Sequence, residues 1–224
     1  MRNVILATLL FATALQAELF TEHFENGVVK SKIEYKDGTR TDTQEGTKEG
    51  MEKIYYDTGE LAYEVKNVEG KREGALNWYD RDGNHLEAIY YQNGKRHGIN
   101  RTFYSDGKLR SEVNYINDQK EGEEREYFST GKLASKVNYI HDRKEGEQIE
   151  YFEDGNISST AIYKNNYKEG EQKWYDHNGK VTKTELYKMD RPVQVMKKIQ
   201  EKQPDPTVDA LKGLDFNPKN RVVQ

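Results

Sequence analysis

Cysteine is absent from the 224 residues, and proline occurs only four times. Without cysteine there is no disulfide framework, thiolate metal site or cysteine nucleophile. Apolar residues are scarce too, at 34% against 33% charged, and the mean hydropathy is -1.07. Such values approach those of disordered chains, which have too little apolar surface to offset ordering entropy. No single sign of charge dominates, because 35 basic and 39 acidic residues are interleaved. A nucleic-acid footprint needs Lys and Arg gathered on one face, so this pattern argues against nucleic acid as a partner. What the chain does have is tyrosine, 16 in all. Disordered segments are poor in aromatics, so a folded chain with a thin core is expected.

Long hydrophobic runs are missing but for one. Val4 to Ala12 is apolar apart from Thr8, follows Arg2, and falls short of the roughly 20 residues a membrane-spanning helix needs. It reads as the core of a signal peptide, with small-residue cleavage sites at Ala12-Thr13-Ala14 and Leu15-Gln16-Ala17, the second preferred. Residues 1–17 are therefore expected to be removed and the product exported to the periplasm, the cell surface or the medium. No cysteine follows the run, so no lipid is expected at the processed N-terminus.

From residue 50 the chain repeats itself. Gly50, Gly74, Gly98, Gly122, Gly146 and Gly170 stand 24 residues apart, and so do Gly59, Gly83, Gly107, Gly131, Gly155 and Gly179. Aromatics follow the same ruler, from Tyr55 to Tyr175 in one series and from Tyr91 to Tyr187 in another, with Asn67 the exception in the second. Residues 50–187 thus form six units. Residues 18–49, around Phe24, Gly27 and Tyr35, read as a divergent first unit with about eight residues inserted near Thr39 to Glu45. Residues 188–224 form a tail or cap. In it Asp205-Pro206 opens a possible helix with Val208, Leu211 and Leu214 at helical spacing, while Pro204, Pro206 and Pro218 favour extended chain.

Each unit reads as two strands. Asp106-Gly107 and its equivalents are hairpin signals, and beyond them Leu109, Ser111, Val113 and Tyr115 alternate with Arg110, Glu112 and Asn114. A second turn follows at Asn117-Asp118 and equivalents. Two loop residues there place Tyr91 opposite Arg96, Tyr115 opposite Lys120, Tyr139 opposite Lys144 and Tyr163 opposite Lys168. A three-residue loop at the first turn places Tyr127 opposite Leu133 and Tyr151 opposite Ile157. The two registers differ in parity, so one extra residue is expected in a bulge at Gly122 and its equivalents. The expected fold is all-β: an elongated single-layer antiparallel β-meander of tandem 24-residue hairpin repeats, with a short C-terminal helical or extended cap. Twelve strands at roughly 4.8 Å give a ribbon of about 55–60 Å.

The unit G-x-x-x-x-[YF]-x-x-x-G-x-[LIV]-x-x-x-x-x-Y-x-x-x-x-[KR]-x, over Phe24 to Tyr187, resembles the MORN repeat in the variant common in bacterial, antitoxin-like proteins. The resemblance implies a curved sheet of stacked hairpins that associates with protein or membrane lipid and is not an enzyme. Glutamates and lysines stand here where the eukaryotic pattern carries extra glycines, and acidic columns repel anionic headgroups.

Chemistry is hard to find. His23, His85, His97, His141 and His177 occupy unrelated positions in the unit and make no i,i+4 pair. Glu73, Glu121, Glu145 and Glu169 form a solvated column beside lysines, where nothing separates their pKa values for acid–base work. No metal and no cofactor are expected. The tyrosine columns either pack over the bulge glycines and lysine stems or serve as platforms for sugars and choline-like cations. Candidate binding residues are Tyr91, Arg96, Tyr115, Lys120, Tyr139, Lys144, Tyr163 and Lys168, with Trp78 and Trp174 the broadest platforms. The chain is expected to be an exported, non-catalytic scaffold for a protein partner or envelope component. A glycan- or cell-wall-binding module and an antitoxin-like inhibitor are the alternatives, and the oligomeric state is left open. Export has a direct check: mass spectrometry of the native protein should find its N-terminus at Glu18, and an intact Met1 in a cytoplasmic fraction would overturn it.

Overall fold

The structure, a computed structural model, describes residues 17–40 and 45–193. The expected signal segment and most of the expected C-terminal cap lie outside the described residues. Among the described residues there are 18 strands and no helix, all in one sheet. Every pairing is antiparallel and joins strands that follow one another along the chain or are parted only by a two-residue strand such as Gln119–Lys120, from Ala17–His23 with Val29–Lys36 to Val181–Lys188 with Arg191–Val193.

The two kinds of turn explain the meander. In the hairpin of Gly98–Phe103 with Leu109–Ile116, the Tyr104 N–H donates to the Lys108 carbonyl at 2.8 Å and the Gly107 N–H to the Tyr104 carbonyl at 2.9 Å. This leaves the expected three-residue loop, Ser105-Asp106-Gly107, closed by glycine at φ 81°, in the left-handed region where a side chain is costly. The second kind has two loop residues, both left-handed: Asn117 and Asp118 at φ 52° and 72°, His141 and Asp142 at 49° and 64°. These are type I′ angles, whose twist matches that of the flanking strands. One more such turn, Met189-Asp190, carries the meander past Tyr187, where the repeat was expected to break, and folds Arg191–Val193 back onto Leu186–Lys188.

The register is as expected at both turns. Tyr91 stands opposite Arg96, Tyr115 opposite Lys120, Tyr139 opposite Lys144 and Tyr163 opposite Lys168. Tyr127 stands opposite Leu133, and Tyr151 opposite Ile157. The slip between the registers corrects the one-residue bulge inferred from parity. Lys120 faces Tyr115 and Arg125 faces Glu112, so five residue steps on one strand match three on the other. Two extra residues therefore sit around Gly122, an even number that leaves every side chain on its own face. The single-residue slip lies between Glu126 and Tyr127, where Leu133 and Ala134 share the place opposite Tyr127.

That odd slip turns the outer residues over. The Tyr127 hydroxyl donates to Glu112 at 3.2 Å, and Glu112 pairs with Arg101 and Arg125 on the face away from Val113. His85, which holds the leucine position in its own hairpin, stacks on Tyr79 and Phe103 with ring centroids 5.2 and 4.7 Å apart. Leu109 and its equivalents thus join the aromatic row of Tyr127, not the face of Val113 and Tyr115 to which simple alternation assigned them. The apolar material is split between two rows on opposite faces. Val65, Leu76, Val113, Val137 and Ala161 are buried on one face beside Tyr115 and Tyr139.

Hydrogen bonds from one repeat to the next hold the stack. The Glu121 carboxylate accepts the His141 N–H at 2.9 Å and Glu145 accepts the Asn165 N–H at 2.9 Å, so each glutamate caps the first residue of the following I′ turn. Glu73 and Glu169 do the same for Asn93 and Met189. In return the Asp142 N–H donates to the Lys120 carbonyl at 3.1 Å, and its carboxylate accepts the Lys120 N–H at 2.7 Å. The glutamates read from the sequence as a solvated column beside lysines are therefore a column of turn caps. Glu145→Ala should cost about 1 kcal/mol of stability, the net value of one such bond, while Glu145→Gln keeps an acceptor and should recover part of it. Urea unfolding of the two variants checks this, and equal midpoints would contradict it.

Candidate functional site

The tyrosine column is built by the breaks in register. Each ring springs from a residue directly opposite a bulge glycine, Tyr115 opposite Gly98, Tyr139 opposite Gly122 and Tyr163 opposite Gly146. At Gly98, with φ at 114°, a Cβ would come within 3.3 Å of the Tyr90 Cβ, so only glycine suits the break.

Each basic side chain reaches past the tyrosine it faces and covers the ring of the next repeat. The Arg96 guanidinium lies 4.2 Å from the Tyr115 ring centre, Lys120 Nζ 4.7 Å from that of Tyr139, and Lys144 Nζ 5.1 Å from that of Tyr163. Arg72 over Tyr91 and Lys168 over Tyr187 repeat the contact at 5.4 and 5.1 Å. Lys120 Nζ also pairs with Glu124 at 2.6 Å. Burial and the nearby Glu124 push the Tyr139 hydroxyl pKa far above its ordinary value. The structure thus joins the Tyr91, Tyr115, Tyr139 and Tyr163 pairs into one line of rings, each already carrying a cation of its own chain. The two tryptophans stand in the adjacent column. Trp78 packs on Tyr63 with ring centroids 4.7 Å apart, and Trp174 carries Lys183 at 4.6 Å.

The column is interrupted at Asn67. There the Glu52 carboxylate is 3% exposed and accepts bonds from Lys48 at 2.8 Å, Tyr63 at 2.9 Å and Asn67 at 3.0 Å. Burial raises its pKa, but the bonds from Lys48, Asn67 and Tyr63 outweigh that, and the carboxyl titrates below its ordinary value. The same burial, with Glu52 beside it, pushes the Tyr63 hydroxyl up to about 12.

The other face carries a feature that the alternation of the strands did not lead one to expect. Val68, Tyr90, Ile99, Ile116, Ile140 and Ile162 stand in a row two positions deep near the I′ turns, where alternation calls for polar residues, and all six are exposed. Val68, Ile116 and Ile140 lie just before a turn, Tyr90 and Ile162 two residues earlier, and Ile99 opposite Asn114. The four isoleucines are between 41% and 45% exposed. Their signal was present in the sequence as out-of-phase apolar residues, Ile116 and Ile140 each lying just before a turn. Between this row and the row of Tyr127 runs a charged strip with Arg101, Glu112, Arg125 and Glu123 in mutual ion pairs at 2.6 to 3.6 Å. Among the described residues no group of His, Asp and Glu could hold a metal ion.

The family profile described as MORN repeat variant matches residues 19–37, 48–67, 96–117, 120–141, 144–165 and 168–189, more than half of the chain. The chain belongs to the MORN repeat variant family. Each match from 96 onward runs from the basic residue that covers a ring to the first residue of the following I′ turn. The MORN unit so defined contains the turn cap, the bulge glycine and the tyrosine together. No curated protein matches the chain. Among solved structures, one of S. aureus TarM in complex with fondaparinux, alpha-GlcNAc-glycerol and UDP is 14% identical at a TM-score of 0.26. The match covers 59% of this chain and 21% of that one, and so weak a likeness carries no argument.

The Glu52 cluster of the second MORN unit has a testable pH dependence. Because its folded pKa is depressed, Glu52 contributes stability above the ordinary carboxylate pKa of 4.5, and that contribution is lost as pH falls through the lower folded value. Glu52→Gln should cost roughly 2 kcal/mol at neutral pH. It should also flatten the acid limb of stability against pH, and chemical denaturation across that range would show a parallel limb if Glu52 were not responsible.

Proposed function

We propose that this MORN repeat chain is an exported, non-catalytic scaffold that binds a protein partner across the face bearing the isoleucine row. Export rests on Arg2, the apolar run Val4 to Ala12 and the small residues ending at Ala17. The partner face rests on Ile116 and Ile140, at one position of successive units, with Ile99 and Ile162 exposed on the same face and the Arg101–Glu112–Arg125 strip beside them. An exposed apolar stripe rimmed by charges has the make-up of a protein-binding patch. Ile116 and Ile140 hold one position of successive units, 24 residues apart, so a partner that grips the first finds the second two strands further on, which adds avidity.

The tyrosine column on the opposite face is read as scaffold, since its rings already carry the cations Arg96, Lys120 and Lys144. The experiment compares capture of envelope proteins by the wild-type chain, an Ile116→Glu/Ile140→Glu variant and a Tyr115→Leu variant, alongside sedimentation with purified cell wall. Loss of the captured species in the isoleucine variant, with retention in Tyr115→Leu, is the expected result. Equal capture by all three would overturn the assignment of the face. Sedimentation with cell wall that Tyr115→Leu abolishes would put a glycan in place of the protein.

A further inference from the structure

The C-terminal end of the stack departs from the units before it at three positions, and each departure puts an apolar residue in place of a polar one. Tyr167 stands where earlier units have Lys71, Lys95, Gln119 and Arg143. Met189 opens its I′ turn where Asn93, Asn117, His141 and Asn165 open theirs. Val193 stands one period beyond the capping Glu169. Tyr167 pairs across the strands with Lys164, which holds the position of Ile140, and Val193 with Leu186, which holds that of Ile162. Both are therefore on the isoleucine face, at its last turn. Tyr167, Met189 and Val193 are 48%, 61% and 40% exposed, and they line one cleft of about 520 Å³ with Lys188 and Arg191.

The same end gives no hold to another repeat. Within the stack a turn is held by the N–H of a basic residue, as Lys168 donates to Asp190 at 2.7 Å, and by the glutamate after it. One period on, Pro192 has no N–H and Val193 no carboxylate, so the turn of a second copy cannot stack here as the chain's own turns do. What the end offers is apolar surface beside charge of one sign. Lys164, Lys188 and Arg191 join no ion pair among the described residues, whereas Lys173 and Lys183 are paired with Glu171 and Glu185. The Glu169 carboxylate is already engaged, accepting the Met189 N–H at 3.1 Å. Residues 194–224 are net basic, with Lys197 and Lys198 as their first charges, so charge does not select them as the occupant.

We propose that this end of the isoleucine face anchors an acidic segment of the partner: one apolar side chain lies among Tyr167, Met189 and Val193, and the carboxylates flanking it meet Lys164, Lys188 and Arg191. The proposal rests on the reading of this face as the partner surface, and adds the charge of the partner and the place where its segment is fixed. The apolar contact supplies affinity, and the unpaired cations select the sign of the segment. Met189 suits an anchor site, because its unbranched thioether adapts to the side chain it receives.

The test is an NMR titration of the full chain with an acetylated, amidated pentapeptide that holds leucine between two pairs of glutamates. Two comparison peptides carry lysine for glutamate, or glycine for leucine. Saturable amide shifts at Tyr167, Met189 and Val193 are expected with the first peptide, and about tenfold weaker binding with each of the others. Tyr167→Arg/Met189→Asn restores the residues of the preceding unit, Arg143 and Asn165, so the fold is kept and the saturable shifts should vanish. Lys188→Gln/Arg191→Gln should narrow the gap between the acidic and the basic peptide. No saturation in the wild-type chain, equal binding of those two peptides, or unchanged shifts in the folded Tyr167→Arg/Met189→Asn variant would overturn the proposal. Two results without any peptide would overturn it as well. Shifts of Val208, Leu211 and Leu214 on passing to that variant would give the patch to the chain's own residues 194–224, and a wild-type dimer that the variant dissolves would give it to a second copy. The titration touches neither Ile116 nor Ile140, so it can fail while that row still captures a partner, and the reverse.

Discussion

The bond that everything else depends on runs between repeats, not within them. A hairpin on its own is marginal in water, and here each I′ turn is held by the strand of the preceding unit. Glu121 caps the His141 N–H while Asp142 exchanges hydrogen bonds with Lys120. These bonds use a glutamate after the basic residue in every unit but that of His97, and an Asp or Asn at the second position of the turns from Asn117-Asp118 onward. They also demand that the strand pause for two residues so that the capped turn can reach it, and Gly122 supplies that pause at φ 88°. The K-E-G triplet and the N-D turn are thus two halves of one contact. Nearest-neighbour bonding of this kind makes stability close to a sum over unit interfaces.

The thinness of the core follows from the same arrangement. A single layer cannot bury side chains between two sheets, so apolar groups are shielded by the long side chains of their neighbours. Lysine and arginine stems lie over tyrosine rings on one face, and the aromatic row on the other is bordered by ion pairs such as Arg125 with Glu112. This is how a chain with a third of its residues charged stays folded. The charges are the covering layer.

Much of this was legible in the residues. The period, the two turn types and the tyrosine–basic pairs follow from glycine and Asx positions, because turn length alone sets register. The position of the slips was not legible: parity counts extra residues modulo two, so it hid the pair at Gly122 and misplaced the single one near Ala134. That error moved Leu109 to the wrong face. The reach of Lys120 to Tyr139, and not to the Tyr115 it faces, was equally invisible, since register fixes a backbone and not the lean of a long side chain. The isoleucine row escaped notice because Ile116 and Ile140 read singly as ordinary strand ends, and only the stacking of units lines them up.

Consecutive antiparallel pairing also decides how the sheet answers to force. Its strands lie across the ribbon, and the bonds between them run along it, from Ala17–His23 at one edge to Arg191–Val193 at the other. Tension applied between the two edges therefore loads the ladders in series, and each strand peels from its neighbour one bond pair at a time instead of shearing all at once. Such a sheet yields at low load, hairpin by hairpin, and each released unit of 24 residues lengthens the tether without disturbing the remainder. A sheet of this build lengthens in steps under such a load, one repeat at a time.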